Sequence, residues 1–255
     1  MNARWIRTIG TGAFALALLY PLSGLLAAVG PWRWEAETAG PGFQSVRVSL
    51  ALTALAMVVV LLVGTPVALH IARSSTRERL WWQGILLISI LLPPLAIGIL
   101  LSLAFGPTTW PGRWIEQLGI ETSNSAFAFV LTQVYVCIGY YVLGAVAAFD
   151  SVPTMLEKHA ALLGQPGWTV FWRVTFPLAR LGLAVALSVA WVRALGEFGA
   201  VVVTAYHPSG MPVQLWVNLQ SFGLPAVMPL LVIFLLTALP LPWLVHLLAQ
   251  RRTHV

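Results

Sequence analysis

The sequence predicts an all-α, polytopic membrane protein of about six transmembrane helices, and three observations carry that prediction. Of its 255 residues, 59% are hydrophobic and only 9% are charged, where a soluble chain carries about 25%. Its mean hydropathy is +0.86. Apolar runs of about 20 residues, long enough to cross a bilayer, recur with short polar breaks between them. A single transmembrane domain over residues 1–255 then leaves no room for a sizeable soluble domain.

The runs fall at about 9–29, 46–72, 80–105, 125–149, 178–205 and 226–249. The first follows Arg4 and Arg7, a pattern shared with secretory signal peptides. Its long core and the poor cleavage site "AAVGPW" favour an uncleaved span. The second ends at Arg73. The third contains Pro93 and Pro94, which remove two helical N–H donors and force a kink. Such a break survives in a membrane where protein or water satisfies the freed carbonyls. It is either a bend near a cavity or gate, or a fixed bend for packing. The fourth holds Cys137, the only cysteine, so an intrachain disulfide and a cysteine metal site are both excluded. The fifth begins near Pro177, a tolerated first-turn position. The sixth ends before Arg251 and Arg252.

Basic residues orient the spans. One set of connections holds Arg4, Arg7, Arg73, Arg77, Arg79, Lys158, Arg173, Arg180, Arg251 and Arg252. The other holds only Arg33, Arg47 and Arg113. Both termini are therefore expected in the cytoplasm, with loops near 30–45, 106–124 and 206–225 facing outward. Trp5, Trp81, Trp82, Trp110, Trp114 and Trp243 lie near span ends, as an interfacial aromatic belt requires. The net charge of +6 is scattered rather than gathered into a patch with aromatics, which excludes nucleic acid as a partner. His70, His159, His207, His246 and His254 show no metal-ligand spacing. There is no internal repeat, so a second copy or a relative is expected to complete the transporter.

The longest cytoplasmic connection is "DSVPTMLEKHAALLGQPGWTVFWRVTFP", residues 150–177. Thr154 and Glu157 fit a capping box. "MLEKHAALL" continues as a helix, Gly164 suits the left-handed position after it, and Pro166 stops it. "TVFWRVTF" reads as a second short helix. The pair is either an amphipathic linker resting on headgroups or a docking lever for a cytoplasmic partner. Lys158 is the only lysine and no G-x-x-x-x-G-K-[ST] surrounds it, so the chain has no P-loop. If ATP drives this protein, another chain hydrolyses it.

"RALGEFGA", residues 193–200, places two charges in an apolar run. Arg193 lies about sixteen residues beyond Pro177, or roughly 24 Å along a helix. Arg193 and Glu197 stand four residues apart, so on one helix they share a face and can pair. A lone charge at the bilayer centre costs about 2.5–3.5 kcal/mol on insertion scales. Gly196 and Gly199 flank Glu197 and permit close backbone approach or a local break. The pair is either a structural salt bridge or part of a substrate path or its gate.

The chain resembles the membrane permeases of binding-protein-dependent ABC importers. Their cytoplasmic signature is a glutamate and two alanines, then three residues, a glycine, nine residues and I-x-L-P. Ala160, Gly164, Val174, Phe176 and Pro177 stand at matching positions, with Glu157 one residue ahead of the glutamate position, His159 replacing the first alanine, Val174 the isoleucine and Phe176 the leucine. "RALGEFGA" resembles a motif of the permeases for molybdate, tungstate and sulfate. "GTPVALHIAR" (64–73), "LLPPLAIGILL" (91–101), "AYHPSGMPVQLWV" (205–217) and "GLPAVMPLL" (223–231) resemble their flanking stretches. The likeness runs from about residue 44 to 250.

The resemblance implies a permease subunit, not an enzyme, in the cytoplasmic (inner) membrane. It implies import of an oxyanion, molybdate or tungstate first and then sulfate, though another small solute stays open. The implied assembly has two ATPase chains, a second permease chain that makes a homodimer, and an external solute-binding protein. ATP and Mg belong to the ATPase, and no cofactor is bound by this chain. Glu157, His159, Ala160, Gly164, Val174, Phe176 and Pro177 would couple to the ATPase. Arg193, Gly196, Glu197, Phe198, Gly199, Pro93 and Pro94 would shape the path or gate. An ion-coupled secondary transporter would show more intramembrane carboxylates than Glu197 alone and an internal repeat. A membrane enzyme would need convergent catalytic groups, which Asp150 and Glu157 do not supply.

Overall fold

Among residues 3–27 and 36–250, which the computed structural model describes, every regular element is helical. The all-α expectation therefore holds. Arg33, Arg251, Arg252, His254 and the segment at 28–35 lie outside the described residues, as do the side chains of Arg4, Trp5, Arg7 and His246.

Among the described residues, four helices are long and apolar enough to cross a membrane. They are Thr38–Arg73 within α2 (Ala36–Arg73), α6 (Ala126–Asp150), the helix Gly167–Leu195, and Leu224–Val245. The last comprises α12 (Leu224–Ala238) and most of α13 (Pro240–Gln250). A shorter apolar stretch, Ile9–Leu25, lies within α1 (Ala3–Ala27). The third expected span is not one straight helix. α3 (Thr76–Leu91) and α4 (Pro94–Phe105) meet at a 106° bend. Leu92 and Pro93 both adopt extended ψ angles, 134° and 136°. Each precedes a proline, whose ring disfavours the helical conformation one residue upstream.

Two further expectations need correction. "TVFWRVTF" is not a separate helix but the start of the fifth span. Helix α8 (Gly167–Val170) passes through a π turn (Phe171–Thr175) into α9 (Phe176–Leu195). The wide turn answers the proline: Phe176 N–H donates to Phe171 O five residues back, so the missing donor and the ring of Pro177 are accommodated without a break. At its other end the span stops at Leu195 instead of running to 205, because the backbone leaves the helix at Gly196. It resumes only as the four-residue α10 (Val201–Thr204).

The connection at 206–225 is likewise not an open loop. It carries α11 (Met211–Phe222), too short to span, with Met211, Val213, Gln214 and Asn218 buried. Ser49 of α2 accepts the Met211 N–H at 2.7 Å and fixes the start of that helix. The connection at 106–124 holds another short helix, α5 (Trp110–Gln117), with Trp110 and Trp114 exposed.

The core centres on α6, packed between α2 and α9. Tyr141, Val142, Ala145, Val146 and Phe149 of α6 are all at most 1% exposed. Close approach depends on small residues. A Cβ on Gly144 would stand 2.7 Å from Ala186 Cβ, and one on Gly182 would stand 2.6 Å from Ala148 Cβ. A similar fit seats α4 on the link after α9, where a Cβ on Gly98 would lie 2.7 Å from Ala200 O and 3.0 Å from Val203 Cβ.

Gly98→Ala should therefore destabilise the detergent-solubilised protein by about 1–3 kcal/mol. Gly84→Ala, with nothing within 4 Å of the new methyl, should leave stability unchanged or raised. Thermal unfolding of the two variants side by side checks the contrast.

Candidate functional site

Two groups of candidate residues sit at opposite ends of the helix Gly167–Leu195. Its 29 residues make a rod of about 43 Å. At the first end lies α7 (Thr154–Leu162), between α6 and α8. Its cap position is Pro153, without a side-chain cap bond, so the capping box read from Thr154 and Glu157 does not form. Glu157 is committed elsewhere. Arg73 donates to it through Nε and Nη2, each at 2.9 Å, and Thr175 Oγ1 donates at 2.7 Å. Arg73 Nη2 also reaches Phe149 O at 3.2 Å. One carboxylate thus fastens α7 to the end of α2 and to the π turn, and Arg73 extends the tie to the end of α6. Beside it, Arg79 donates to Asp150 and ties α3 to α6.

Gly164 closes α7 as its sequence predicts. Its φ is +78°, and Gly164 N and Gln165 N donate to Ala161 O and Ala160 O at 2.9 and 3.2 Å. The outer side of the helix is apolar and open: Met155, Leu162 and Leu163 are 62%, 84% and 80% exposed. His159 and Gly164 are exposed with them, while Ala160, Val174, Phe176 and Pro177 are half-buried. Phe176 joins an aromatic series, its ring 5.1 Å from Trp172, which lies 5.4 Å from Trp168. Arg73, Thr175, Trp168 and Trp172 were not singled out from sequence. Arg73 stands 84 positions from Glu157, and no local pattern joins them.

Burial opposes ionisation of Glu157, but the hydrogen bonds from Arg73 and Thr175 and the charge of Arg73 outweigh it and hold its pKa below the ordinary value. A depressed carboxylate pKa adds stability above the unfolded value of 4.5 and loses it as pH falls through the folded value.

At the other end the helix breaks in the middle of the candidate path residues. Arg193 is in the last turn of α9 and Glu197 lies beyond it, so the pair closes across a helix end rather than along a continuous face. Glu197 is 2% exposed. One of its oxygens takes Arg193 Nη1, and the other accepts Ala200 N–H at 2.7 Å. It therefore neutralises a charge and supplies an acceptor to a backbone donor that the break sets free. Gln133 of α6 serves the opposite need, donating through Nε2 to Ala194 O and to Thr53 Oγ1, both at 2.9 Å. Thr132 and Thr204 share a hydrogen bond of 2.7 Å and hold α10 to α6. The Arg193 guanidinium stands 5.9 Å from the Tyr140 ring centroid.

The structure brings Pro94 and Gly199 together, since a Cβ on Gly199 would lie 3.0 Å from Pro94 Cβ. Pro93 is exposed beside them. Phe198 points to a different neighbour, Trp216 of α11, with ring centroids 5.8 Å apart. Gly196 is exposed, and Phe234 is the nearest side chain to where its Cβ would be, at 3.8 Å. Gln133, Thr132 and Thr204 were not singled out, because a polar residue in an apolar run does not reveal which helix it faces. Among the described residues no cluster of three or more His, Cys, Asp or Glu side chains could hold a metal.

Residues 61–254 match the family of binding-protein-dependent transport system inner membrane components. The chain belongs to that family. It is thus an ABC importer permease subunit, a multi-pass inner-membrane protein and not itself an enzyme. A relative from Haloferax volcanii, a probable molybdenum ABC transporter permease protein, is 32% identical, covering 96% of this permease and 90% of its own length. The molybdenum transport system permease protein ModB of Mycobacterium tuberculosis is 35% identical over 71% of this permease and 69% of its own length. The sulfate transport system permease protein CysW of Synechocystis is 28% identical, covering 94% and 92%. Among solved structures, a chain of a bacterial alginate ABC transporter superposes with a TM-score of 0.72 at 16% identity, covering 98% of this permease and 94% of that chain. That likeness establishes the shared fold.

Two measurements follow. A spin label on Leu162 should stay ordered from pH 7 to about pH 5 and gain mobility only as pH falls below the depressed Glu157 pKa. Glu157→Gln should be mobile already at pH 7, and equal mobility of both proteins at pH 7 would contradict the tie. Arg193→Ala alone leaves a buried carboxylate short of a partner, at a cost of about 3–5 kcal/mol. The double change with Glu197→Ala should cost less than the sum of the single changes, by about 1–3 kcal/mol in unfolding free energy.

Proposed function

We propose that this permease imports molybdate or tungstate, and after them sulfate. The assembly would contain two copies of this chain, two ATPase subunits that bind ATP and Mg, and an external solute-binding protein. One observation carries the choice of anion: two relatives named for molybdenum are 32% and 35% identical, against 28% for the sulfate permease. "RALGEFGA", the stretch that resembles molybdate, tungstate and sulfate permeases, forms the break at the end of α9.

The exposed apolar strip of α7 is the surface offered to the ATPase. Met155, Leu162 and Leu163 in water form the kind of patch that marks an interaction site. Glu157, His159, Ala160, Gly164, Val174, Phe176 and Pro177 are the coupling residues. Movement of α7 passes through the Glu157 tie to α2, α6 and the π turn, and then along α9 to Arg193. There Gly196, Glu197, Phe198 and Gly199, with Pro93 and Pro94, border the path or gate. Both termini lie in the cytoplasm, on the α7 side, where Arg73, Arg77 and Arg79 also gather. The described side chains of α1 are exposed from Ile9 to Gly24, which leaves a surface for the second permease chain and for lipid.

The interior favours an ATP-driven cycle over an ion-coupled one. Both oxygens of Glu197 are engaged, by Arg193 and by Ala200 N–H, so Glu197 is not free to take a travelling proton or sodium ion. The same pairing offsets the Arg193 charge, so Arg193 is not a strong fixed anion site. Selection of the anion then falls mainly to the binding protein.

Labelled molybdate, tungstate and sulfate uptake should be compared in cells with and without this chain. Loss of molybdate and tungstate uptake, with a smaller effect on sulfate, is the expected result. Selective loss of sulfate uptake would reassign the anion, and no change in any of them would remove the oxyanion reading.

A further inference from the structure

We infer that the outer face of α3 is a binding site for an anionic phospholipid. The helix is in an unusual position for one of 16 residues, because none of them is buried. Leu80, Trp81, Gly84, Ile85 and Ile88 line a groove of about 410 Å³ along it. Gly84 keeps the groove open, with nothing within 4 Å of where its Cβ would stand. Leu80, Trp81, Ile85 and Ile88 are 65%, 68%, 45% and 61% exposed.

Charge selects the occupant. The first turn carries Arg77, Glu78 and Arg79. Glu78 is held by His70 at 2.8 Å and Arg79 by Asp150 at 3.1 Å. Arg77 is exposed and makes no ion pair among the described residues. It lies one helical turn before Trp81, on the same face as the groove. A guanidinium without a counter-charge, beside a tryptophan at the start of an apolar groove, matches a phosphate headgroup above an acyl chain.

Length agrees. From Arg77 to Ile88 the helix rises about 16 Å, close to the roughly 15 Å that one leaflet contributes to a hydrocarbon core of about 30 Å. Beyond Leu91 the chain turns away by 106°.

A second copy of the chain fits the same face less well. A face that pairs with itself must supply its own counter-charge. Here Asp150 is taken by Arg79 and Glu78 is turned to His70, so neither is free to face Arg77 of a second copy. Nor does α1 offer a counter-charge, because its sequence contains no acidic residue.

Native mass spectrometry of the full chain in mild detergent, titrated with phosphatidylglycerol and phosphatidylcholine, tests the site. The wild-type protein should prefer phosphatidylglycerol about fivefold, the factor that about 1 kcal/mol per basic residue at an anionic surface provides. Arg77→Gln should abolish the preference and Arg77→Lys should keep most of it. Arg47→Gln, on a different helix, should leave it intact. Gly84→Leu should weaken binding of both lipids by filling the groove. Equal binding of the two lipids by the wild-type protein, or an unchanged preference in Arg77→Gln, would overturn the assignment. Efficient disulfide formation between chains carrying Gly84→Cys, in native membranes, would also overturn it, because a second copy would then cover the groove.

Discussion

The seam between α6 and α9 is the constraint on which the rest of the structure depends. Gly144 receives Ala186 and Gly182 receives Ala148 at distances that no side chain of the usual size permits. In lipid the apolar surface of two helices gives little reason to associate, because the acyl chains are as apolar as leucine. Close van der Waals fit must do so instead. The row of buried alanines at 179, 186, 190 and 194 carries that fit along the length of α9. The Glu157 tie and the Arg193–Glu197 pair are the terminations of one stiff element.

The termination at Gly196 solves a problem set by the membrane. A backbone that leaves the helix inside a membrane exposes donors and acceptors with no water to meet them. At Gly196 the protein answers with a side chain of α6 and one of the link itself: Gln133 donates to Ala194 O and Glu197 accepts Ala200 N–H, while a hydroxyl bond from Thr132 holds Thr204 in place. A break satisfied in this way is specific, because each substitute partner accepts only one geometry. It also accounts for Gln133 and Glu197 in so apolar a chain, because both meet the backbone where it departs from regularity.

Much of this was legible in the sequence because it is local. The second, fourth and sixth apolar runs match Thr38–Arg73, Ala126–Asp150 and Leu224–Val245 to within a few residues at most boundaries. The bend at Pro93 and Pro94 and the left-handed turn at Gly164 follow from the conformations those residues allow. The illegible parts were set by distant contacts. The Thr154–Glu157 pattern reads as a capping box until Arg73 takes the carboxylate from 84 positions away. Met211–Phe222 reads as a loop because its 12 residues are too few to span, and its burial depends on Ser49 and the neighbouring helices. Arg193 and Glu197 were legible as a pair, but not as a pair that brackets a helix end.

The π turn at Phe171–Thr175 has a consequence for angular phase. At 3.6 residues per turn, one extra residue rotates everything beyond it by about 100° about the helix axis. Val170 and Phe171, before or at the start of the turn, lie against the core, and so do Ala179, Leu183, Ala186 and Ala190 after it. In a regular helix those two sets would point about a quarter turn apart. If the first were seated, the alanine row would face away from α6. The widened turn is therefore a phase corrector. It lets a segment shaped by α7 and a segment shaped by α6 belong to the same helix.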